Sequence, residues 1–135
     1  RNSRARLFVS EGALTPRFIT RGGRAAEGAL IVTSTEAPAP ETDFARTYRA
    51  RFAEAPPAFA AEAYDAARAI LTAIGSGART RSAVSAYLSG HEIGGLTRTL
   101  RWTPTGEPAV MRYRVVAVED GGFVGRGPVG PGDAG

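Results

Sequence analysis

The chain has 135 residues, and its 17 basic residues, all arginine, outnumber 13 acidic ones for a formal net charge of +4. Apolar residues make up 43% of it, close to the globular average, so one packed core is expected rather than wholesale disorder. There is no cysteine, which excludes a disulfide, a thiolate nucleophile and a thiolate metal site and leaves the redox compartment open.

The arginines are scattered from Arg1 to Arg126 with no run of five or six basic residues. Nucleic-acid sites concentrate charge on one face, so this pattern favours a solvated surface and no nucleic-acid partner. No uninterrupted apolar stretch approaches the ~18 residues that a membrane-crossing helix needs. The chain opens at Arg1 in a basic polar stretch without Met. The expectation is a processed or excised piece, with any targeting signal or membrane anchor upstream.

Arg6-Leu7-Phe8-Val9 predicts a short buried strand, closed by the turn Ser10-Glu11-Gly12. Thr15 before Pro16 predicts the cap of a brief helix through Phe18 and Ile19, stopped at Gly22-Gly23. Ala29 to Thr33 is rich in β-branched residues without alternation, as in a central strand covered on both faces. Ala37-Pro38-Ala39-Pro40 breaks it, and Pro40, Glu41 and Asp43 suit a helix start, because proline tolerates the first turn and carboxylates favour its positive end, on a helix where Phe44, Tyr48 and Phe52 form one apolar stripe.

After Pro56-Pro57 the spacing predicts a long helix from Phe59 to Ile74, with Phe59, Ala63, Ala67, Ile70, Leu71 and Ile74 facing inward. Thr80 caps a further helix ending near Gly90. Arg98 to Trp102 alternates like an exposed strand, and Met111 to Val118 predicts a longer one, turned by Asp120-Gly121-Gly122 into Phe123-Val124. Residues 125–135 hold five glycines and two prolines and are expected to form a flexible tail after a folded region spanning 1–124.

Enzyme signatures are missing. His91 is the single histidine, so no paired-histidine metal site can form, and it suits a polar loop after a helix. No Gly-x-Ser-x-Gly turn occurs, and a phosphate loop needs the lysine this chain lacks. Gly22-Gly23 and Gly94-Gly95 are read as plain turns. Glu11 differs, because a carboxylate in a turn at the carboxyl end of a strand sits where α/β folds place ligands, although a solvated turn glutamate fits the position too. Tyr64-Asp65 is either a functional pair or a ring packed inward beside a solvated acid.

Together, Phe8-Val9-Ser10-Glu11-Gly12, Ala25-Ala26-Glu27-Gly28, Phe44 to Phe52, Ala63-Tyr64-Asp65-Ala66-Ala67 and Gly94-Gly95-Leu96-Thr97 resemble the type I periplasmic binding proteins. The likeness runs from Leu7 to Val124, and is greatest to the leucine/isoleucine/valine-binding family of ABC transporters. One departure follows Gly95, where the family often carries Gly-x-Thr-Gly and then a Phe-Asp strand end, while Arg98 and Trp102 stand here.

Family members are much longer and clamp their ligand between two lobes. The resemblance therefore implies a three-layer α/β lobe, mostly the second lobe and the C-terminal part of such a protein. It implies no enzyme, no cofactor and no metal. It places Glu11 on the ligand's α-ammonium, and Phe59 and Tyr64 along the cleft against an aliphatic side chain. The implied partners are an amino-acid-like small molecule, the absent N-terminal lobe, and an ABC permease in an extracytoplasmic compartment. A fused signalling module in place of the permease would make the chain a sensing ectodomain. A basic nucleic-acid-interacting domain is the third and weakest reading. The open half-clamp could also pair with a copy of itself.

Overall fold

The computed structural model describes residues 5–35 and 41–129. The described chain divides into two compact units. Unit 1 joins Arg1–Ser34 to Arg112–Gly135, and unit 2 is Thr35–Met111. The physical reason lies in the pairing. The last long strands return to pair with the strand before Ser34, so the helices between them pack among themselves.

Unit 1 is built on a four-stranded sheet in the order β1-β2-β5-β6, from β1 (Phe8–Ser10), β2 (Leu30–Thr33), β5 (Tyr113–Glu119) and β6 (Gly122–Val129). β1 runs parallel to β2 with Ser10 beside Val32, and the other pairs are antiparallel. The helix α1 (Pro16–Gly22) starts as its sequence predicts, with Pro16 in the first turn and the Thr15 hydroxyl accepting from the Phe18 amide at 3.4 Å.

Ile31, Val116 and Val118 share one sheet face and bury against Ala26 and Ala29, with Phe18, Ile19 and Phe123 partly buried around them. The opposite face is less covered than expected. Val32 is 39% exposed and Phe8 64%, so β2 is interior in the sheet but closed on one face only, and β1 is an edge strand instead of a buried one. The turn after β5 fits its residues, because Asp120 and Gly121 both take positive φ (50° and 71°), which matches the right-handed twist of a hairpin.

β6 also moves the expected boundary at residue 124. The ladder with β5 continues through Gly125, Gly127, Pro128 and Val129, across an irregularity at Val115 and Val116. An edge strand tolerates glycine and proline because one side needs no ladder hydrogen bonds. Residues 130–135, the rest of the expected tail, lie outside the described residues, as does the break at residues 37–40.

Unit 2 holds α2 (Asp43–Phe52), α3 (Ala60–Gly75), α4 (Arg81–Gly90) and a two-stranded ribbon of β3 (Ile93–Gly94) and β4 (Thr99–Leu100). Thr42 and Thr80 cap their helices, accepting from the Ala45 and Ala83 amides at 3.2 Å each. The expected aromatic stripe of α2 forms, with ring centroids 6.0 Å apart for Phe44–Tyr48 and 4.6 Å for Tyr48–Phe52.

In α3 the buried stripe is Ala61, Asp65, Ala69 and Ala73, while Ile70, Leu71 and Ile74 are exposed. That is the reverse of the expected face. Small residues at i, i+4, i+8 and i+12 let another element approach the helix closely, and the large residues fall on the other side. The expected strand from Arg98 to Trp102 shrinks to Thr99–Leu100, with Trp102 in an isolated bridge to Pro108.

Candidate functional site

Parallel pairing of β1 and β2 brings the residues that follow each strand side by side. Glu11 opens a 3-10 turn after β1, fixed by the Leu14 amide donating to the Glu11 carbonyl at 2.9 Å. Its half-buried carboxylate reaches the end of β2. There Oε2 accepts from the Thr33 hydroxyl at 3.4 Å, the Ser34 amide at 3.3 Å and the Ser34 hydroxyl at 3.5 Å. Among the described residues, Oε1 accepts no hydrogen bond. Thr33 is 1% exposed, so its hydroxyl is withdrawn from bulk water. These two partners are not apparent in the sequence. The signal available was the Thr33-Ser34-Thr35 run that closes the apolar strand.

Two concavities of unit 1, about 850 and 520 Å³, are lined by other residues; the larger includes Arg6, Leu30, Glu119 and Val129. Among the described residues no cluster of three or more His, Asp or Glu side chains could hold a metal ion.

Phe59 and Tyr64 belong to unit 2. Phe59 is the residue before α3 and holds φ 68°, ψ 0°, a left-handed conformation that a bulky residue adopts only under constraint. Its ring is 39% exposed and its position gives no side-chain cap. Tyr64, 48% exposed, lies one turn on with its ring 5.5 Å from Phe44. The structure thus brings Tyr64 to an aromatic neighbour but leaves much of both rings uncovered.

Asp65 is not a solvated acid. It is 2% exposed, and both its oxygens accept from the Leu96 amide, at 2.9 and 2.8 Å. Gly95 is correspondingly more than a plain turn, since a Cβ there would meet Asp65 Oδ2 at 2.4 Å. Tyr64-Asp65 is therefore a partly exposed ring beside a buried structural acid, with inside and outside exchanged from the expected arrangement.

Glu62, on the first turn of α3, was not singled out by the sequence. Its Oε1 accepts from the Thr35 hydroxyl at 2.6 Å and lies 4.0 Å from the Arg98 guanidinium, while its buried Oε2 has no partner among the described residues. His91 ends α4 stacked on Tyr87, centroids 4.0 Å apart, with Nδ1 2.7 Å from the Tyr87 carbonyl.

In unit 1 a carboxylate sits at the carboxyl ends of two parallel strands, where α/β folds commonly place ligands. Residues 4–122 match the model of a family described as periplasmic binding protein, and the chain belongs to that family. Among solved structures it is similar to a leucine binding protein from Thermotoga maritima, with 24% identity and a TM-score of 0.77, covering 96% of this chain and 38% of that one. It is also similar to a putative branched-chain amino acid ABC transporter from Rhodospirillum rubrum, with 28% identity, TM-score 0.67, and 93% and 38% covered. A solute binding protein from R. palustris in complex with benzoate shares 17% identity at TM-score 0.60, with 82% and 32% covered. The chain thus spans well under half the length of these structures. No curated protein matches it significantly. No helix among the described residues is long and apolar enough to cross a membrane.

Proposed function

We propose that this chain is part of an extracytoplasmic solute-binding protein that captures an amino acid and presents it to an ABC permease. The observation that carries this reading is the Glu11 carboxylate, fixed through Oε2 by Thr33 and Ser34 at the carboxyl ends of β1 and β2. A partly desolvated carboxylate with a spare acceptor suits an α-ammonium and discriminates against a neutral solute, because a charge left unmatched on closure is costly.

Within unit 2, Phe59 and Tyr64 are separate candidates for contact with an aliphatic ligand side chain. Their exposed rings offer rigid surface for an aliphatic side chain, and the strained backbone of Phe59 is the kind of conformation that proteins retain at binding positions. The ligand's carboxylate is held by the part of the protein outside this chain, so both parts are needed for affinity. Hinge closure around the ligand follows from its bridging of the two sides. The amino-acid relatives favour leucine or a similar aliphatic residue, and the benzoate complex marks the competing ligand class of aromatic acids without an ammonium.

The test is thermal stability of the full-length protein against a panel of amino acids and benzoate, repeated with Glu11→Gln. Ligand at a hundredfold excess over its Kd stabilises by about 2.7 kcal/mol, so a real ligand raises the melting temperature clearly. A rise with aliphatic amino acids that Glu11→Gln abolishes supports the reading. A rise with benzoate alone, or with no solute, refutes it.

A further inference from the structure

We infer that Thr33 and Ser34 are positioning residues that dedicate one oxygen of Glu11 to the protein and present the other, Oε1, to a single N–H donor of the ligand. The inference rests on the reading of Glu11 as the ammonium acceptor.

Three donors converge on Oε2, at 3.3 to 3.5 Å, and a carboxylate oxygen has two lone pairs to offer them. The three donors therefore share Oε2 through long contacts. The donors come from two consecutive residues at the end of β2, a strand held in register on one side by β1 and on the other by β5. The glutamate backbone is pinned separately by its 3-10 turn, so the side chain is restrained at both ends.

A long, flexible glutamate held this way loses little rotamer freedom when a ligand arrives, which is the general advantage of a site organised before binding. Binding one oxygen to the protein also fixes the stoichiometry of recognition. A planar guanidinium frequently binds a carboxylate through two parallel N–H···O bonds that use both oxygens, whereas an ammonium can donate one of its three N–H groups to a single oxygen and the others elsewhere. The arrangement therefore favours ligands that present a primary ammonium to Glu11.

The full-length protein titrated with L-leucine by calorimetry tests this. Thr33→Val removes a donor without changing shape much and should weaken L-leucine binding by about tenfold, the lower end for a hydrogen bond to a charged group. Thr33→Ser returns the hydroxyl and should restore most of the affinity, which a merely structural role of the residue would not do. Ser34→Ala keeps the amide and should cost less than Thr33→Val.

Ligand-free amide exchange provides a second readout. Glu11→Ala should accelerate exchange of the Ser34 amide. If wild type binds L-leucine and Glu11→Gln abolishes it, but Thr33→Val and Ser34→Ala bind like wild type, the positioning role is overturned and the ammonium reading stands. If wild type binds no amino acid, the functional reading fails, and Ser34 exchange alone decides the anchor: faster in Glu11→Ala supports it, unchanged overturns it.

Discussion

Substituting Gly95 by alanine tests how tightly the turn before β4 is built on the buried acid of α3. The added methyl would lie 2.4 Å from Asp65 Oδ2, 2.9 Å from its Cγ and 2.6 Å from the Arg98 carbonyl oxygen. Neither obstacle can swing away freely. Asp65 is 2% exposed with both oxygens on the Leu96 amide, and the Arg98 carbonyl accepts from the Gly95 amide itself at 2.9 Å.

Overpacking costs about 1–3 kcal/mol, and relieving this contact also strains a hydrogen bond to a charged acceptor, worth about 1.5–3 kcal/mol. The expected loss is therefore about 2–3 kcal/mol. With a urea dependence of about 1–3 kcal/mol per molar, the unfolding midpoint should fall by about 1 M or more. Equilibrium urea unfolding of the full-length protein reads the magnitude, and native-state amide exchange at Leu96 reads the location. In an Asp65→Ala background the same substitution should cost less, because only the Arg98 carbonyl remains in the way. An unchanged midpoint together with unchanged Leu96 exchange would refute the close packing of Gly95 on Asp65.

Three further substitutions separate strain and burial. Phe59→Gly removes a left-handed penalty of about 1–2 kcal/mol and adds back a glycine entropy cost of about 0.5–1 kcal/mol. Ligand-free stability should therefore hold or rise slightly in a thermal scan while L-leucine affinity falls, and a fall in both would refute a binding role kept at the expense of backbone strain. Ile31→Ala, at a fully buried position of the sheet, should cost about 2–5 kcal/mol. Leu71→Ala, at a position 66% exposed, should stay within about 0.5 kcal/mol, and a comparable loss at both sites would show that the exposed face of α3 is covered in the full-length protein.

Much of this protein is determined locally and is legible in its sequence. Thr15-Pro16 and Thr80 start helices because their hydroxyls meet amides that have no partner inside the helix, a contact that spans three residues. Asp120-Gly121 turns a hairpin because those residues accept positive φ. The family likeness and the position of Glu11 after a strand were equally available, since both depend on the order of short segments.

What only the tertiary structure decided are relations between distant segments. Periodicity along α3 offers two faces, and the choice of the alanine and Asp65 stripe over Ile70, Leu71 and Ile74 depends on how closely a neighbour approaches, which no window of sequence contains. The return of β5 to β2 joined distant segments in unit 1 and carried glycine and proline into a strand. The parallel register of β1 with β2 set Thr33 and Ser34 against Glu11, twenty-two and twenty-three positions away. A carboxylate's position in a turn is a local property, whereas the donors that orient it are supplied by whichever strand pairs alongside.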